Sequence, residues 1–220
     1  MLSYITIIGF LIVFVTLLIR AEFVKNQKQI YLFKPLSTVM VIVVALLSFF
    51  IGGEWHFNYS VAIIVGLLLS LGGDIALMFQ SKKFFMIGLV LFLVAHIAYS
   101  IVFTIYNGFF IEDYLSGVML IVMAIAFYLY LYSGLEKMKV PVLFYILIIS
   151  FMMNRAISTF FGDFFNYTQA LLISIGAGLF YVSDLLLAVN RFKKPFKYHR
   201  ISLAFYYCGQ LLIALSTGFF

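Results

Sequence analysis

Apolar runs of bilayer length restrict how this chain can fold more than any other feature of its sequence. There are eight, each of about 17 to 23 residues, enough for a helix across a ~30 Å hydrocarbon core. They cover residues 3–20, 36–52, 59–79, 84–106, 113–132, 140–160, 167–189 and 199–219. Inside a bilayer, a helix satisfies the backbone hydrogen bonds of its own segment. We therefore expect an all-α fold, a polytopic membrane bundle of about eight transmembrane helices that forms one domain over residues 1–220.

The composition excludes a water-soluble domain. Apolar residues make up 65% of the chain and charged residues only 10%, whereas soluble domains carry about 25% charged residues. The single cysteine, Cys208, cannot form an intramolecular disulfide framework.

Basic residues mark one side of the membrane. Thirteen of the 14 lie in or beside the odd-numbered connections: Arg20, Lys25, Lys28, Lys34, Lys82, Lys83, Lys137, Lys139, Arg191, Lys193, Lys194, Lys197 and Arg200. The even-numbered connections carry only acidic charges: Glu54, Glu112, Asp113 and Asp163. The positive-inside rule places the odd connections in the cytoplasm and both termini outside, in the cytoplasmic membrane if the source is bacterial. The net charge of +6 then reflects topology and contact with anionic membrane lipids, and no nucleic-acid partner is expected.

A short similarity relates the two halves. Residues 70–77 (SLGGDIAL) resemble residues 180–187 (FYVSDLLL), and the aspartates within them are 110 positions apart. Both segments run from outside to inside, so a duplication of 1–110 and 111–220 would give two parallel four-helix repeats. Apolar segments resemble one another easily, and the match is equally compatible with unrelated halves.

Two acidic residues stand inside apolar runs. Asp74 and Asp184 each lie about five residues before the cytoplasmic end of their run, or ~8 Å below the boundary. A carboxylate inside a transmembrane helix costs roughly 2.5–3.5 kcal/mol, which favours a functional role. In a shared cavity, one carboxyl would act as an acid and the other as a base. The alternative is two structural aspartates, each bonded to Ser, Tyr or Lys across the bundle.

Other polar residues within the runs have two interpretations each. His96 shares a helix face with Tyr99 and could shuttle protons or orient water, or it could simply bond to Tyr99 or to a carbonyl. Gln210 shares a face with Tyr207 and could join helices or contact a substrate.

The basic and amide side chains near the run ends are equally ambiguous. Arg155, beside Asn154, is expected to snorkel outward or else to pair with an acidic group in a cavity. Arg191 could anchor topology or hold a lipid phosphate. His56, His96 and His199 lie at three different depths, which excludes a three-histidine zinc site.

Taken in order, these motifs resemble a known family. They are Ser70-x-Gly72-Gly73-Asp74-x-x-Leu77; Gly88, Phe92 and Ala95-His96-x-x-Tyr99; Gly176-Ala177-x-x-Phe180-x-x-Ser183-Asp184-x-x-Leu187-Ala188-x-x-Arg191-Phe192; and Tyr207-x-x-Gln210. Over about residues 59–215 the chain is similar to the YhhN (TMEM86) lysoplasmalogenase family. The resemblance implies an eight-span hydrolase of the vinyl ether bond of lysoplasmalogens, without metal or organic cofactor. Its products would be a fatty aldehyde and a glycerophospho-ethanolamine or -choline.

Vinyl ether hydrolysis matches the residues found. The reaction begins with protonation of the β-carbon and needs an acid and a nearby carboxylate. We expect Asp74 and Asp184 to be catalytic, in either order, with the following supporting or substrate-binding residues: Ser70, His96, Tyr99, Asn154, Ser183, Arg191, Tyr207 and Gln210. The expected partners are a lysophospholipid and membrane lipids. The same carboxyl pair also suits a proton-coupled transporter or lipid-binding protein without hydrolytic activity.

Overall fold

The computed structural model describes residues 2–51, 57–79, 81–196 and 199–218. Within these ranges the helical membrane bundle is confirmed, and its α-helices are α1 Leu2–Phe23, α2 Gln27–Ile51, α3 Phe57–Leu77, α4 Lys82–Asn107, α5 Glu112–Leu131, α6 Lys139–Ser158, α7 Tyr167–Phe192 and α8 Ser202–Leu215. Glu54, His56 and Lys197, used above in the charge and histidine arguments, lie outside the described residues.

The last helix differs from the other seven. Helices α1 to α7 are long and apolar enough to cross a membrane. Helix α8 has 14 residues, or ~21 Å, which is short of a ~30 Å core. Short 3₁₀ turns, His199–Ile201 and Ser216–Gly218, extend it at both ends. The predicted run 199–219 is therefore helical across its described part but is not a single α-helix.

Helix α2 begins at Gln27, nine positions before the predicted run. Pro35 suggests a helix boundary, yet it lies inside α2. Membrane helices tolerate proline because neighbouring groups satisfy the freed carbonyl. As a result Lys34, which the sequence argument treated as a loop charge, lies within the helix and is buried.

Glycines bring neighbouring helices into close contact. A Cβ atom on Gly209 of α8 would lie 2.6 Å from the Gly176 carbonyl oxygen and 2.9 Å from the Phe180 nitrogen of α7. In the α3–α4 pair, a Cβ on Gly73 would lie 2.7 Å from the Phe92 ring. Small residues at such crossings allow backbones to approach closely in membranes. The Gly73 contact lies next to Asp74, and the Gly209 contact holds the middle of α8 against α7.

Replacement of Gly209 by alanine tests this packing. Gly209→Ala forces the α7 and α8 backbones apart and should lower stability by about 1–3 kcal/mol, read as a lower Tm in detergent. Gly178→Ala is the matched control, because its new methyl would meet only the flexible Met153 side chain at 3.6 Å. Equal Tm values for the two variants would contradict the close α7–α8 crossing.

Candidate functional site

A polar cavity of about 490 Å³ lies at the basic end of the bundle. The ends of α1, α3 and α7, the starts of α4 and α8, and one residue of α2 form its walls. Asp74 and Asp184, the two predicted catalytic residues, both line this cavity. The charged residues beside them are Glu22, Lys34, Lys82, Arg191 and Arg200.

Asp74 is held by three partners from two other helices. Its Oδ2 accepts hydrogen bonds from the Thr38 hydroxyl at 2.6 Å and from the Tyr206 hydroxyl at 2.7 Å. Its Oδ1 lies 3.6 Å from the Lys34 ammonium nitrogen. The Asp74 side chain is only 3% exposed. A carboxylate buried so deeply persists only when it is paired and hydrogen-bonded.

Asp184 has a different set of partners and is more open. The Tyr145 hydroxyl donates to Oδ2 at 2.5 Å, and His96 Nε2 lies 3.3 Å from the same oxygen. His96 Nε2 also lies 3.1 Å from the Tyr145 hydroxyl oxygen. The Asp184 side chain is 13% exposed, while His96 is fully buried. An imidazole in contact with a carboxyl group can pass a proton to it or take one from it.

A layer of aromatic rings separates the two carboxyl clusters. The Phe180 ring lies 5.1 Å from the Tyr206 ring and 4.7 Å from the His96 ring, measured between centroids. Tyr206 bonds to Asp74 and His96 contacts Asp184. The two carboxyl groups thus line one cavity, and the hydrogen bonds that the structure gives to Asp74 and to Asp184 share no residue.

The structure places the other predicted residues in different environments. Ser183 and Arg191 line the cavity, and His96 supports Asp184. Tyr207 donates to the Lys34 carbonyl at 3.0 Å, which fastens α8 to α2. Ser70, Tyr99 and Gln210 are buried in the bundle and are not among the cavity-lining residues.

Tyr99 turns away from His96. It follows His96 by three positions, a spacing that shares a helix face, but its ring packs on Gly66 and its hydroxyl lies beside that of Ser70. His96 instead contacts Tyr145 and Asp184. The proposed His96–Tyr99 hydrogen bond is therefore replaced by a contact to the catalytic candidate itself.

Asn154 and Arg155 lie at the other end of the bundle, beside the end of α4. The expected snorkelling of Arg155 is wrong: it is fully buried, and its Nη1 donates to Asp113 at 2.7 Å. Arg155 also donates to the Gly108 carbonyl and lies 4.3 Å from the Phe109 ring centroid. Asn154 donates to the Asp113 carbonyl at 2.9 Å. The Asp113 carboxylate at the start of α5 forms a charge-assisted hydrogen bond with the Arg155 guanidinium, and this bond stabilises the arginine inside the bundle.

Four residues that contact the aspartates were not predicted from the sequence as site residues: Lys34, Thr38, Tyr145 and Tyr206. Thr38 follows Lys34 by four positions, and Tyr206 precedes Gln210 by four. Residues at this spacing share a helix face, so the sequence could have indicated that the members of each pair lie on the same side of their helix. Tyr145 has no polar neighbour at such a spacing on its own helix, and no sequence signal identifies it.

Comparison with known proteins gives consistent matches. Residues 29–217 match the model of the YhhN family. The lysoplasmalogenase TMEM86A of Bos taurus is 34% identical over 159 residues, covering 70% of this chain, and that of Homo sapiens is 34% identical over 161 residues, also 70%. A lysoplasmalogenase homolog of Dictyostelium discoideum is 29% identical over 198 residues, 73% of the chain. The matches span 64% of the length of each relative. No solved structure is significantly similar.

The buried Asp113–Arg155 pair gives a stability prediction. Asp113→Asn leaves a buried guanidinium without a counter-charge and should cost about 3–5 kcal/mol, measured as a lower Tm in detergent. Replacing both partners, Asp113→Leu with Arg155→Met, should recover much of the loss. Glu112→Gln, at the exposed neighbouring position, is the control and should leave Tm unchanged. An unaffected Tm in Asp113→Asn would contradict the pairing.

Proposed function

We propose that this chain, which belongs to the YhhN family, is an integral membrane hydrolase that cleaves the vinyl ether bond of lysoplasmalogens. The products would be a fatty aldehyde and a glycerophospho-ethanolamine or -choline. Its relatives in Bos taurus and Homo sapiens are named as lysoplasmalogenases. The observation that carries the proposal is the convergence of Asp74 and Asp184 on one cavity at the basic end of the bundle.

The reaction fits a pair of carboxyl groups. An acid protonates the β-carbon of the vinyl ether, which forms a C–H bond and leaves an oxocarbenium ion. Water adds to that ion and loses a proton to a base, and the hemiacetal then splits into aldehyde and glycerol hydroxyl. Acid–base catalysis by positioned side chains contributes typically about 10²–10⁴-fold in rate. A carboxylate close to the cation lowers its energy, as in glycoside hydrolysis.

The different contacts of Asp74 and Asp184 support different roles for the two residues in the proposed reaction. Lys34 and two hydroxyl donors stabilise the ionised form of Asp74. Asp184 faces the cavity with His96 and Tyr145 behind it, and these groups can hold or deliver a proton. In this proposal neither support residue touches the substrate, and both act through Asp184.

The charges at the cavity match a phospholipid headgroup. Lys82, Arg191 and Arg200 can bind the phosphate. Glu22, which lies 3.1 Å from the Arg200 guanidinium, can accept the ethanolamine or choline cation. We place this basic end in the cytoplasm and both termini outside, so that the lysolipid enters from the inner leaflet with its ether bond just below the glycerol.

Amide substitution of either aspartate tests the proposal. Asp74→Asn and Asp184→Asn remove an ionisable group while keeping its shape, and each should lower aldehyde release from a lysoplasmalogen by at least about 100-fold. Purified protein in detergent with coupled aldehyde detection gives the rate, and elution volume reports folding. Asp163→Asn, at an exposed position of the α6–α7 connection, is the matched control and should keep full activity.

Two results would overturn the proposed hydrolase function or its mechanism. Full turnover in either folded variant would remove the two-carboxyl mechanism. If the unchanged protein bound or transported lysolipid without releasing aldehyde, a transporter or lipid-binding function would replace hydrolysis.

A further inference from the structure

An apolar cleft leaves the polar cavity at Asp184. It lies between α4, α6 and α7, with Leu89, Ile146 and Ala188 among its walls, and its volume is about 50 Å³. The residues that line both spaces are Leu77, Phe85, Phe92, Asp184, Leu187 and Arg191. Asp184 is the acidic member of this shared set, whereas Asp74 lines only the polar cavity. The two carboxyl groups are therefore not equivalent: one stands at a boundary between polar and apolar space.

We propose that this cleft binds the first carbons of the single hydrocarbon chain of a lysolipid, so that Asp184, and not Asp74, meets the vinyl ether bond. The assignment rests on the proposed hydrolase function and adds a chain subsite and a division of roles to it.

The order of chemical groups along the two spaces is the order along a lysolipid. Basic side chains line the polar cavity together with Glu22 and Asp74, Asp184 lies at the junction, and apolar side chains follow in the cleft. A lysoplasmalogen has a phosphate, then glycerol, then the ether bond, then the chain. Arg191 also lies at the junction, seven positions after Asp184, or about 10 Å along α7. A glycerol backbone and a long arginine side chain can bridge that distance.

Asp184 would then donate the first proton. Its O–H bond breaks as the new C–H bond forms at the β-carbon, which leaves a carboxylate at the edge of the cleft beside the oxocarbenium ion. Water from the polar side adds to the cation and gives one proton to the Asp184 carboxylate. As the hemiacetal splits, the proton of its hydroxyl passes to the glycerol oxygen. One water is consumed and the acid is restored.

In this proposal the narrow cleft holds only the start of one chain. Its volume is about a tenth of that of the polar cavity, so only the start of a chain fits and the remainder must continue into the bilayer.

Filling the cleft tests the subsite. Ala188→Phe from α7 and Ile146→Phe from α6 each place a ring in the cleft, while Val90→Phe, at an exposed α4 position outside both spaces, is the control. We expect kcat/KM for a long-chain lysoplasmalogen to fall at least about tenfold in both cleft variants, since small volume changes in apolar pockets have effects of that size. A substrate with a very short alkenyl chain should lose much less, and Val90→Phe should match the unchanged protein.

Binding of the saturated-ether lysolipid, which cannot be hydrolysed by this route, gives a readout independent of turnover. Affinity should rise with chain length in the unchanged protein and lose that dependence in the cleft variants. Two folded cleft variants that keep the chain-length dependence of both rate and binding would overturn the subsite while leaving hydrolysis in place. Chain-length-dependent binding that Ala188→Phe abolishes, in a protein that releases no aldehyde, would support the subsite and refute the hydrolase.

Discussion

The cost of placing a carboxyl group inside a membrane governs the arrangement at the basic end of this bundle. Neither aspartate can remain there without partners from other helices. Asp74 of α3 takes its partners from α2 and α8, and Asp184 of α7 takes its partners from α4 and α6. Side chains from four other helices therefore contact the two aspartates, and close glycine contacts hold α3 against α4 and α7 against α8.

The two ends of the bundle treat buried acids differently. At the acidic end, Asp113 forms a direct ion pair with a fully buried arginine, an arrangement that suits a structural role. At the basic end, the partners of Asp184 among the described residues are a histidine and a tyrosine, and Asp184 remains open to a cavity. A carboxyl group that faces a cavity without a direct guanidinium contact can exchange a proton with a substrate, which is the property that the proposed reaction requires.

The sequence predicted the depth of the site better than its contacts. Charge alternation and helical rise placed Asp74 and Asp184 at one level, and both line one cavity. Sequence alone did not show which face of an almost uniformly apolar helix turns inward, since such helices have little amphipathic signal. For this reason Tyr207 was selected where Tyr206 makes the contact, and Tyr145 was not selected. Lys34 was counted with the charges of the first connection because the predicted apolar run begins at residue 36, whereas α2 begins at Gln27.

Deuterium transfer to carbon is the most direct test of acid-catalysed vinyl ether cleavage by this protein. When the purified protein acts on a lysoplasmalogen in deuterated water, the carbon next to the aldehyde carbon should acquire one solvent deuterium, and the saturated-ether analogue should give no aldehyde. Aldehyde released without that deuterium would contradict protonation at the β-carbon, and with it the role assigned to the two aspartates.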